Sequence, residues 1–535
     1  MQASRSAGNN GGGGQGRNLQ ETILAPLVKT GGSPNKSYAI FSFLILLLLG
    51  AFFSSRLLLD PSVLVEREAV STTKATAAPA DASSRKDPRE NTVITEKPPE
   101  FPLTCTSLSD NSTCPRDNYP TATLAGDSPS AACPEYFRWI HEDLRPWART
   151  GITRDAVERA KKTANFRLVI VGGRVYVEKF NEAFQTRDVF TIWGFLQLVR
   201  RYPGKIPDLE LMFDCVDWPV IKAAEFAGAE PPPLFRYCGN DETLDIVFPD
   251  WSFWGWAEVN IKPWEGVLRE LGDANRKTKW LEREPYAYWK GNPTVAETRQ
   301  DLMKCNVSEE HDWNARLYSQ DWARESKEGY KQSDLASQCV HRYKIYIEGS
   351  AWSVSEKYIL ACDSVTLLVK PRYYDFFTRG LLPAQHFWPI KDDDKCRSIK
   401  FAVDWANSHA RKAEEMGKKG SEFIMQQLKM EYVYDYMYHL LTEYSKLLRF
   451  KPEVPRQAVE VCSESMACPR DGNERKFMRE SLVKRPSETG PCLMPPPYDP
   501  ASFYSLIKKK DTTFARIHAW ERRYWLMHKK NQTGN

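Results

Sequence analysis

Short apolar strand patterns alternate with amphipathic helix patterns over about 340 residues of this chain, and this alternation constrains its fold most. Residues 166–171 form a strand pattern, with 174–177 as its hairpin partner. Residues 187–202 repeat apolar side chains at helical spacing, and 209–216 form the next strand pattern. Strands that alternate with helices in this way are typical of an α/β fold with largely parallel sheets.

Further strand patterns occupy 234–239, 246–249, 286–291, 344–347 and 365–369, and further helix patterns occupy 357–362 and 430–448. One sheet containing all of these strands would be crowded, so two Rossmann-like lobes divided near residues 270–285 suit the length better. Ligands of such folds bind at the carboxyl ends of strands. The residues that follow strands are therefore the candidates for function.

Residues 37–55 carry no charge and centre on a run of leucines. As a helix they would span roughly 28 Å, which is enough to cross the hydrocarbon core of a bilayer. A cleaved signal peptide and a buried core helix are the alternatives. A signal peptide begins nearer the N-terminus and ends in small residues, whereas here Phe52 and Phe53 close the segment. The sequence therefore predicts one transmembrane helix.

Residues 1–36 have four basic side chains and one acidic side chain, a net charge of +3, which predicts a cytosolic tail and a type II orientation. Residues 56–100 are rich in Ser, Thr, Ala, Pro, Lys and Glu and are expected to form an extended stem. An N-terminal lobe over 101–280, a C-terminal lobe over 281–450 and a C-terminal extension over 451–535 complete the predicted organisation.

The composition narrows the functional classes. A hydrophobic content of 42% and a charged content of 27% exclude a wholly disordered, collagenous or polytopic membrane chain. The net charge of +5 gives no concentrated basic face of the kind that binds duplex nucleic acid. All 12 cysteines follow the predicted membrane helix, and glycosylation sequons begin at Asn111, Asn306 and Asn531. Both features indicate a lumenal domain of the secretory pathway.

The pairing of the cysteines is not encoded in their spacing, but some expectations can be stated. Cys305 and Cys339 flank a polar insertion and are a reasonable pair. Cys215 and Cys362 lie in apolar segments and are expected to be buried thiols. Without a close C-x-x-C pair, a structural zinc site is not indicated.

Asp217 follows an apolar strand pattern and precedes Trp218. A carboxylate at the carboxyl end of a strand can act as general base on a hydroxyl group. The alternative is a turn or N-cap aspartate. Asp214, inside the strand pattern, is equally suited to a structural hydrogen bond.

Two loops could bind a phosphate. Residues 290–294 place a lysine, a glycine and small polar residues between a strand and a helix that opens near Glu297, so backbone N–H groups could cradle a diphosphate. Residues 348–357 place small and hydroxyl side chains at the end of another strand. An ordinary turn and a plain strand-to-helix loop are the alternatives.

Two charged segments remain. Residues 391–395 contain Asp-x-Asp, for which a metal site and a solvated charge run are both conceivable. A basic C-terminal stretch includes residues 508–510, 522–523 and 529–530. It is expected to be solvated or to face an acceptor substrate.

Several motifs occur together in a familiar order: Asp217-Trp-Pro, then residues 248–254 (FPDWSFW), residues 288–291 (YWKG), residues 343–364 with Gly349, Ser353 and Lys357, and residues 386–389 (HFWP). Over roughly residues 130–450 the chain resembles the Rumi-type protein O-glucosyltransferases, which share their domain with the fungal capsule-associated (CAP10-like) xylosyltransferases in glycosyltransferase family 90. Its version of the motifs resembles the plant branch.

The resemblance implies a GT-B-like fold, a UDP-sugar donor, inversion at the anomeric carbon and no required metal or other cofactor. It implies that Asp217 is the catalytic base, and that 101–280 form the acceptor side and 281–450 the donor-binding side. The residues that match donor-binding motifs are Lys290, Gly291, Asn292, Thr294, Gly349, Ser350, Ser353 and Lys357, and the aromatic candidates for the acceptor side are Trp218, Trp251 and Trp254.

The chain departs from the animal members of this family at three positions. Lys290, Pro293 and Ser355 stand where those members have arginine. Arginine can hold a diphosphate through two parallel hydrogen bonds, and lysine cannot. The contacts to the diphosphate, and with them the preference for one sugar, are expected to differ here.

The sequence thus predicts a single-pass type II enzyme of the Golgi or endoplasmic reticulum membrane. It would transfer glucose or xylose from a UDP-sugar to a hydroxyl of a glycoprotein or a cell-wall polysaccharide. The alternatives are a non-catalytic lectin-like or chaperone-like lumenal protein that retains the fold, and a glycoside hydrolase that pairs Asp217 with a second carboxylate.

Overall fold

The structure is a computed structural model that describes residues 100–105, 114, 131–331 and 333–533, with side chains to residue 529. The tail, membrane helix and stem expected over 1–36, 37–55 and 56–100 lie outside the described residues, apart from residue 100, as does the sequon asparagine Asn111. Among the helices that are described, none has both the length and the apolar character needed to cross a membrane.

The described residues form eleven strands and thirteen α-helices. The strands are β1 Phe166–Val171, β2 Arg174–Lys179, β3 Leu209–Phe213, β4 Leu234–Arg236, β5 Ile246–Val247, β6 Glu284–Gly291, β7 Ala315–Ser319, β8 His341–Tyr346, β9 Val365–Val369, β10 Trp388–Ile390 and β11 Val459–Val461. The helices are α1 Trp139–Leu144, α2 Arg154–Ala160, α3 Arg187–Arg201, α4 Trp264–Lys277, α5 Glu297–Met303, α6 Trp322–Lys327, α7 Ser355–Leu360, α8 Lys395–Ser408, α9 Ala410–Gln427, α10 Met430–Leu447, α11 Ser463–Ala467, α12 Gly472–Glu480 and α13 Pro500–Thr533.

The strands form two sheets, which confirms the α/β class. The first sheet has the order β11-β2-β1-β3-β4-β5, and the second has the order β10-β9-β8-β6-β7. All strand pairs of the second sheet are parallel. In the first sheet only β3-β4 and β4-β5 are parallel, because the tight hairpin between β1 and β2 forces an antiparallel pair and β1 also runs antiparallel to β3. The expectation of largely parallel sheets is therefore correct for the second sheet and wrong for the first, in which three of the five strand pairs are antiparallel.

The helix pattern at 187–202 is confirmed as α3, but this helix has no solvent face, since nearly all of its residues are buried. The C-terminal segment covers the side that faces away from the first sheet. Ser481 accepts a hydrogen bond from the indole nitrogen of Trp193 at 2.9 Å, and the Gln197 side-chain oxygen accepts one from the backbone N–H of Val483 at 2.8 Å. The polar side chains of Trp193 and Gln197 thus find hydrogen-bond partners inside the protein.

Five disulfides join cysteines of the described residues. Three of them connect the segment before α1 to the C-terminal segment, as the pairs Cys105–Cys468, Cys114–Cys462 and Cys133–Cys492. Together with β11, which pairs with β2, they attach residues 459–492 to the first sheet and the segment before it. The expectation of disulfides is confirmed.

Two of the specific cysteine expectations are wrong. Cys305 pairs with Cys396 rather than Cys339, because the end of α5 and the start of α8 bring their Cα atoms to 4.9 Å. Cys339 pairs with Cys362, with Cα atoms 5.1 Å apart, so Cys362 is not a thiol. Cys215 is a buried free thiol as expected.

We expect the double variant Cys133→Ser/Cys492→Ser to lose about 2–5 kcal/mol of unfolding free energy, because this disulfide restricts the conformations of the unfolded chain. Chemical denaturation of the full-length chain measures the loss. Cys215→Ala removes a buried free thiol and serves as control, with an expected loss of about 1 kcal/mol. Recovery of Cys305 linked to Cys339 in a non-reduced digest would contradict the pairing described here.

Candidate functional site

A cleft of about 410 Å³ opens at the carboxyl ends of the parallel strands of the second sheet. Its walls come from the segments that directly follow β6, β8, β9 and β10, as expected for a parallel α/β sheet. Trp218, which follows β3 of the first sheet, completes the wall. The lining residues are Trp218, Val295, Ala296, Glu297, Thr298, Asp301, Ile347, Glu348, Gly349, Ser350, Val369, Lys370, Arg372, Tyr373, Asp392 and Lys395.

Backbone hydrogen bonds join the loops of the two sheets beside this cleft. Gly239 and Tyr374 exchange two N–H···O bonds of 3.0 Å, so the loop after β4 is fixed to the loop after β9. The rings of Trp218 and Tyr373 meet edge to face with centroids 5.7 Å apart. Residues of both sheets therefore share one cleft, which is the arrangement needed when two substrates must meet.

Asp217 lies beside the cleft, next to Trp218. Its side chain is 26% exposed, and its Oδ1 accepts a hydrogen bond of 2.6 Å from Arg187. The guanidinium of Arg187 lies 4.3 Å from the centre of the buried Trp251 ring. Arg187 is thus held on an aromatic surface and in turn orients a carboxylate that solvent can reach.

The loop that carries Asp217 begins earlier than expected, because β3 ends at Phe213 rather than at 216. Asp214 still donates its backbone N–H to Phe235 of β4 at 3.0 Å, and beyond Asp214 side chains bind the backbone of the loop. Buried Arg236 donates to the carbonyls of Val216 and Trp218 and pairs with Asp214 and, at 3.2 Å, with Asp245. The expected structural role of Asp214 is confirmed.

In the first predicted donor loop, residues 290–294, the side chains contact other residues of the protein. The Nζ atom of Lys290 lies 3.6 Å from the buried carboxylate of Glu325. Asn292 accepts hydrogen bonds from the N–H and the hydroxyl of Thr294, at 2.9 and 2.8 Å. A side chain at Gly291 would collide with the Trp289 ring, since a Cβ atom there would be 2.5 Å from it. None of these four predicted residues lines the cleft, although Val295 to Thr298 do.

The second predicted donor loop, residues 348–357, forms part of the cleft wall. Gly349 and Ser350 line the cleft. Ser353 lies behind them, where its hydroxyl is 2.9 Å from that of Ser355 and 3.3 Å from Arg299. Two of the predicted donor residues therefore form part of the cleft wall, as does Trp218.

Lys357 does not line the cleft. Its ammonium group is buried and pairs at 3.0 Å with Asp250, which follows the first sheet. Burial is the largest single effect and lowers the pKa of Lys357, but Asp250, Tyr358 and Asp375 together outweigh it, so this pKa lies above its ordinary value. The pair connects α7 with the segment 250–253.

The three aromatic candidates are placed differently. Trp218 is 49% exposed, whereas Trp251 and Trp254 are buried. Trp254 donates its indole N–H to the Tyr434 hydroxyl at 3.0 Å, and Trp251 supports Arg187. In this conformation Trp218 is the aromatic candidate that can stack on a ligand.

Several charged residues of the site were not predicted from the sequence. Lys370 and Arg372 line the cleft, and their position directly after β9 is the sequence signal that indicates them. Arg299 lies within α5 and not directly after a strand, so its sequence position did not indicate a role in the site. It reaches from α5 to the carbonyls of Asn292, Ile347 and Glu348, at 3.3, 3.2 and 2.8 Å. Burial lowers the pKa of Arg299 to about 10.

Two of the three carboxylates of the 391–395 segment lie within 4 Å of cations of the protein. Asp392 pairs with Lys395 at 2.8 Å and with Arg372 at 3.2 Å, and Asp394 lies 3.6 Å from Arg397. Across the part of the chain that the structure describes, one group of three potential metal ligands occurs, Cys133, His439 and Cys492. Its two sulfurs form a disulfide, so they offer no thiolates to a metal.

Comparison with known proteins decides the family. The sequence profile described as Glycosyl transferase family 90 matches residues 128–521. The chain belongs to this family. Protein O-glucosyltransferase 1 of Bos taurus is 28% identical over 342 residues, which cover 60% of this chain and 82% of that protein. The O-glucosyltransferase rumi homolog of Anopheles gambiae is 27% identical over 338 residues, with coverages of 60% and 81%, and O-glucosyltransferase rumi of Drosophila melanogaster is 23% identical over 346 residues, with coverages of 62% and 81%.

The chain is therefore a glycosyltransferase of the Rumi-like family, and the resemblance drawn from its motifs is confirmed. The cleft is the candidate active site of this family member, because it gathers the residues after the parallel strands of one sheet and Trp218 of the other.

Glu348 lines this cleft and gives a prediction of pH dependence. Burial raises the pKa of Glu348 to about 7 from an ordinary value of 4.5, although the N–H groups of Arg372 and Tyr373 both donate to it at 2.8 Å. Between these two pKa values the folded state binds more protons than the unfolded state. The free energy of unfolding therefore falls as the pH rises through this window.

We expect Glu348→Gln to remove this fall, because a glutamine keeps the two N–H acceptor contacts and cannot ionise. Between about pH 5 and pH 7 the wild type should lose about 1–3 kcal/mol more than the variant, as measured by chemical denaturation. Glu310→Gln, at an exposed carboxylate, should behave like the wild type. An identical pH slope in Glu348→Gln and wild type would show that the carboxyl does not titrate in this range.

Proposed function

We propose that this protein is an inverting, UDP-sugar-dependent glycosyltransferase that moves glucose or xylose to a hydroxyl of a glycoprotein or a cell-wall polysaccharide. The observation that carries the proposal is the position of Asp217. Its carboxylate is partly exposed beside the cleft, and Arg187 orients it from behind. A general base needs both properties, because it must reach the acceptor hydroxyl with a fixed geometry.

In the proposed reaction the acceptor hydroxyl attacks the anomeric carbon as the bond from that carbon to the UDP oxygen breaks. The carboxylate of Asp217 takes the hydroxyl proton, with Oδ1 held by Arg187 and Oδ2 as the proton acceptor. Negative charge develops on the leaving diphosphate. Lys370 and Arg372 are the cleft cations assigned to stabilise it, and Gly349 and Ser350 present backbone and hydroxyl groups beside them.

The two sheets, each with parallel strands flanked by helices, support a GT-B-like arrangement. The uncharged segment 37–55 supports anchoring as a type II protein of the Golgi or endoplasmic reticulum membrane. The disulfides support a lumenal location for the described residues. The names of the relatives support glucose as the first sugar to test.

The first experiment is a calorimetric titration of the full-length chain with UDP, UDP-glucose and UDP-xylose, in EDTA and then with Mn²⁺. Micromolar binding in EDTA is expected, with one of the two sugars preferred. Binding only in the presence of Mn²⁺ would contradict donor binding without metal, and would direct attention to Asp392 and Asp394.

Asp217→Asn should lower the rate of sugar transfer by a factor of about 10²–10⁴, since an amide cannot take up the proton. The affinity for UDP should stay unchanged, because the variant keeps the size and the hydrogen bond from Arg187. Asp241→Asn, at an exposed carboxylate of the same lobe, is the matched control and should retain activity. Full transfer by Asp217→Asn would exclude Asp217 as the base.

A lumenal lectin-like or chaperone-like protein is the second candidate. Two cations expected to meet the donor, Lys290 and Lys357, instead pair with Glu325 and Asp250. Pro293 and Ser355 add no charge in place of the family's arginines. Failure of every UDP compound to bind, with and without Mn²⁺, would favour this candidate.

A further inference from the structure

We propose that the solvent-facing side of α13 binds an anionic polysaccharide and presents it to the cleft. The acceptor would then be a polymer that carries carboxylate groups. This inference rests on the proposed transferase function and narrows its acceptor class. Residues 500–533 contain eight lysines and arginines and two acidic residues, a net charge of +6, whereas the whole chain carries +5. One helix thus carries more positive charge than the protein as a whole.

The cations of α13 lie on the side that faces solvent. The opposite side is packed against the protein through Ile517 and Glu521, which are buried, with Phe514 and Tyr524 at the edge of the core. Besides Lys529 near the end of the helix, five described cations are exposed: Lys508, Lys509, Arg516, Arg522 and Arg523. Lys509, Arg516 and Arg523 are seven residues apart, so they form one row with steps of about 10.5 Å along the axis. A row of this kind suits a chain with repeated charges.

These five cations are not neutralised by the protein. Within the described part of the chain, no carboxylate lies within 4.0 Å of any of them. A solvated helix face usually alternates its charges, with acids three or four residues from the bases. Here Asp511, three residues after Lys508, is the exposed acid of the helix, while Glu521 faces inward and pairs with Lys391 at 3.1 Å.

Exposed aromatic side chains lie among the cations. Lys508 lies 5.8 Å from the centre of the Tyr504 ring, and Arg516 lies 5.5 Å from that of Trp520. Trp520 is itself stacked near Trp405, with ring centroids 6.3 Å apart. Flat apolar rings beside cations can hold the faces of sugar rings while the cations pair with their carboxylates.

The basic helix continues to the cleft. Glu521 holds Lys391, the neighbour in sequence of Asp392 in the cleft wall. Burial, followed by the positive charges of Lys391, Arg522 and Lys370, lowers the pKa of His518. Because Glu521 binds the residue next to Asp392, this turn of α13 lies beside the wall of the cleft. A polymer bound along the helix would therefore extend to the candidate active site.

An anionic membrane surface suits these observations less well. A helix that binds at a membrane surface separates an apolar face from a charged face. On α13 the exposed Leu526 and Met527 each lie four residues after a cation, Arg522 and Arg523, so apolar and charged side chains share one face.

Binding of polygalacturonate to the full-length chain tests the proposal, with dextran as the neutral polymer. The helix variant neutralises four cations of α13, Lys508→Gln, Lys509→Gln, Arg516→Gln and Arg523→Gln. The matched control neutralises four exposed cations elsewhere, Arg149→Gln, Lys162→Gln, Lys412→Gln and Arg456→Gln. The wild type should bind polygalacturonate more weakly as salt rises, and should not bind dextran. The helix variant should bind about tenfold more weakly and the control within about twofold.

UDP affinity, measured on the same preparations, separates this proposal from the transferase proposal and also reports folding. Equal polymer affinity of the helix variant and the control would overturn the proposal, as would the absence of polygalacturonate binding by the wild type at low salt. Binding to vesicles containing phosphatidylserine and phosphatidylcholine, without polymer binding, would assign the helix to a membrane surface instead. Polymer binding that depends on α13, in a protein that binds no UDP, would overturn the transferase function and leave the polymer site.

Discussion

The buried ion pair between Lys357 and Asp250 is the interaction on which the arrangement of the site depends. Each charge is removed from water, so each is tolerated only because the other lies 3.0 Å away. Lys357 belongs to the helix after β8, and Asp250 belongs to the segment after β5. Removal of either partner would leave an uncompensated buried charge, which costs about 3–5 kcal/mol. The pair therefore keeps together two segments from different sheets.

A second buried cluster, formed by Arg236, Asp214 and Asp245, fixes the loop that carries Asp217. Arg236 connects Asp214 and Asp245 and also holds the carbonyls on both sides of Asp217. The loop is therefore fixed by hydrogen bonds from the core rather than by strand pairing. A loop of this kind can leave one side chain exposed while its backbone stays rigid, which is the requirement for a general base. In our proposal Asp217 takes up the proton, and Arg236 and Arg187 hold Asp217 in position.

The proposed acceptor surface on α13 is separate from the cleft. The cleft itself is small and contains a nearly balanced set of cations and carboxylates, such as Arg372 with Asp392. Most of the unbalanced charge lies outside it, on α13. Recognition of a long acceptor by a separate basic surface would leave the cleft free to select the donor. It would also make the rate of transfer depend on ionic strength at low acceptor concentration.

Sequence reasoning succeeded where the signal is local. The apolar periods of Phe166–Val171, Val365–Val369 and Met430–Leu447 identified these elements because each depends on its own side chains alone. It failed for Cys305, whose partner Cys396 lies 91 residues away and is reached only when α5 and α8 pack. Lys357 was predicted to bind the donor. Its ion pair with Asp250, which is distant in sequence, is not visible in a linear pattern.

The sequence by itself determined the α/β class, the family and the candidate base, because periodicity and motif order are properties of the chain. Tertiary structure alone decided which residues share the cleft and which cations are already neutralised. It also decided that the basic residues of α13 lie on one exposed side beside the wall of the cleft. These outcomes depend on distances between segments that are far apart in sequence, and such distances exist only after the two sheets and the C-terminal segment have packed together.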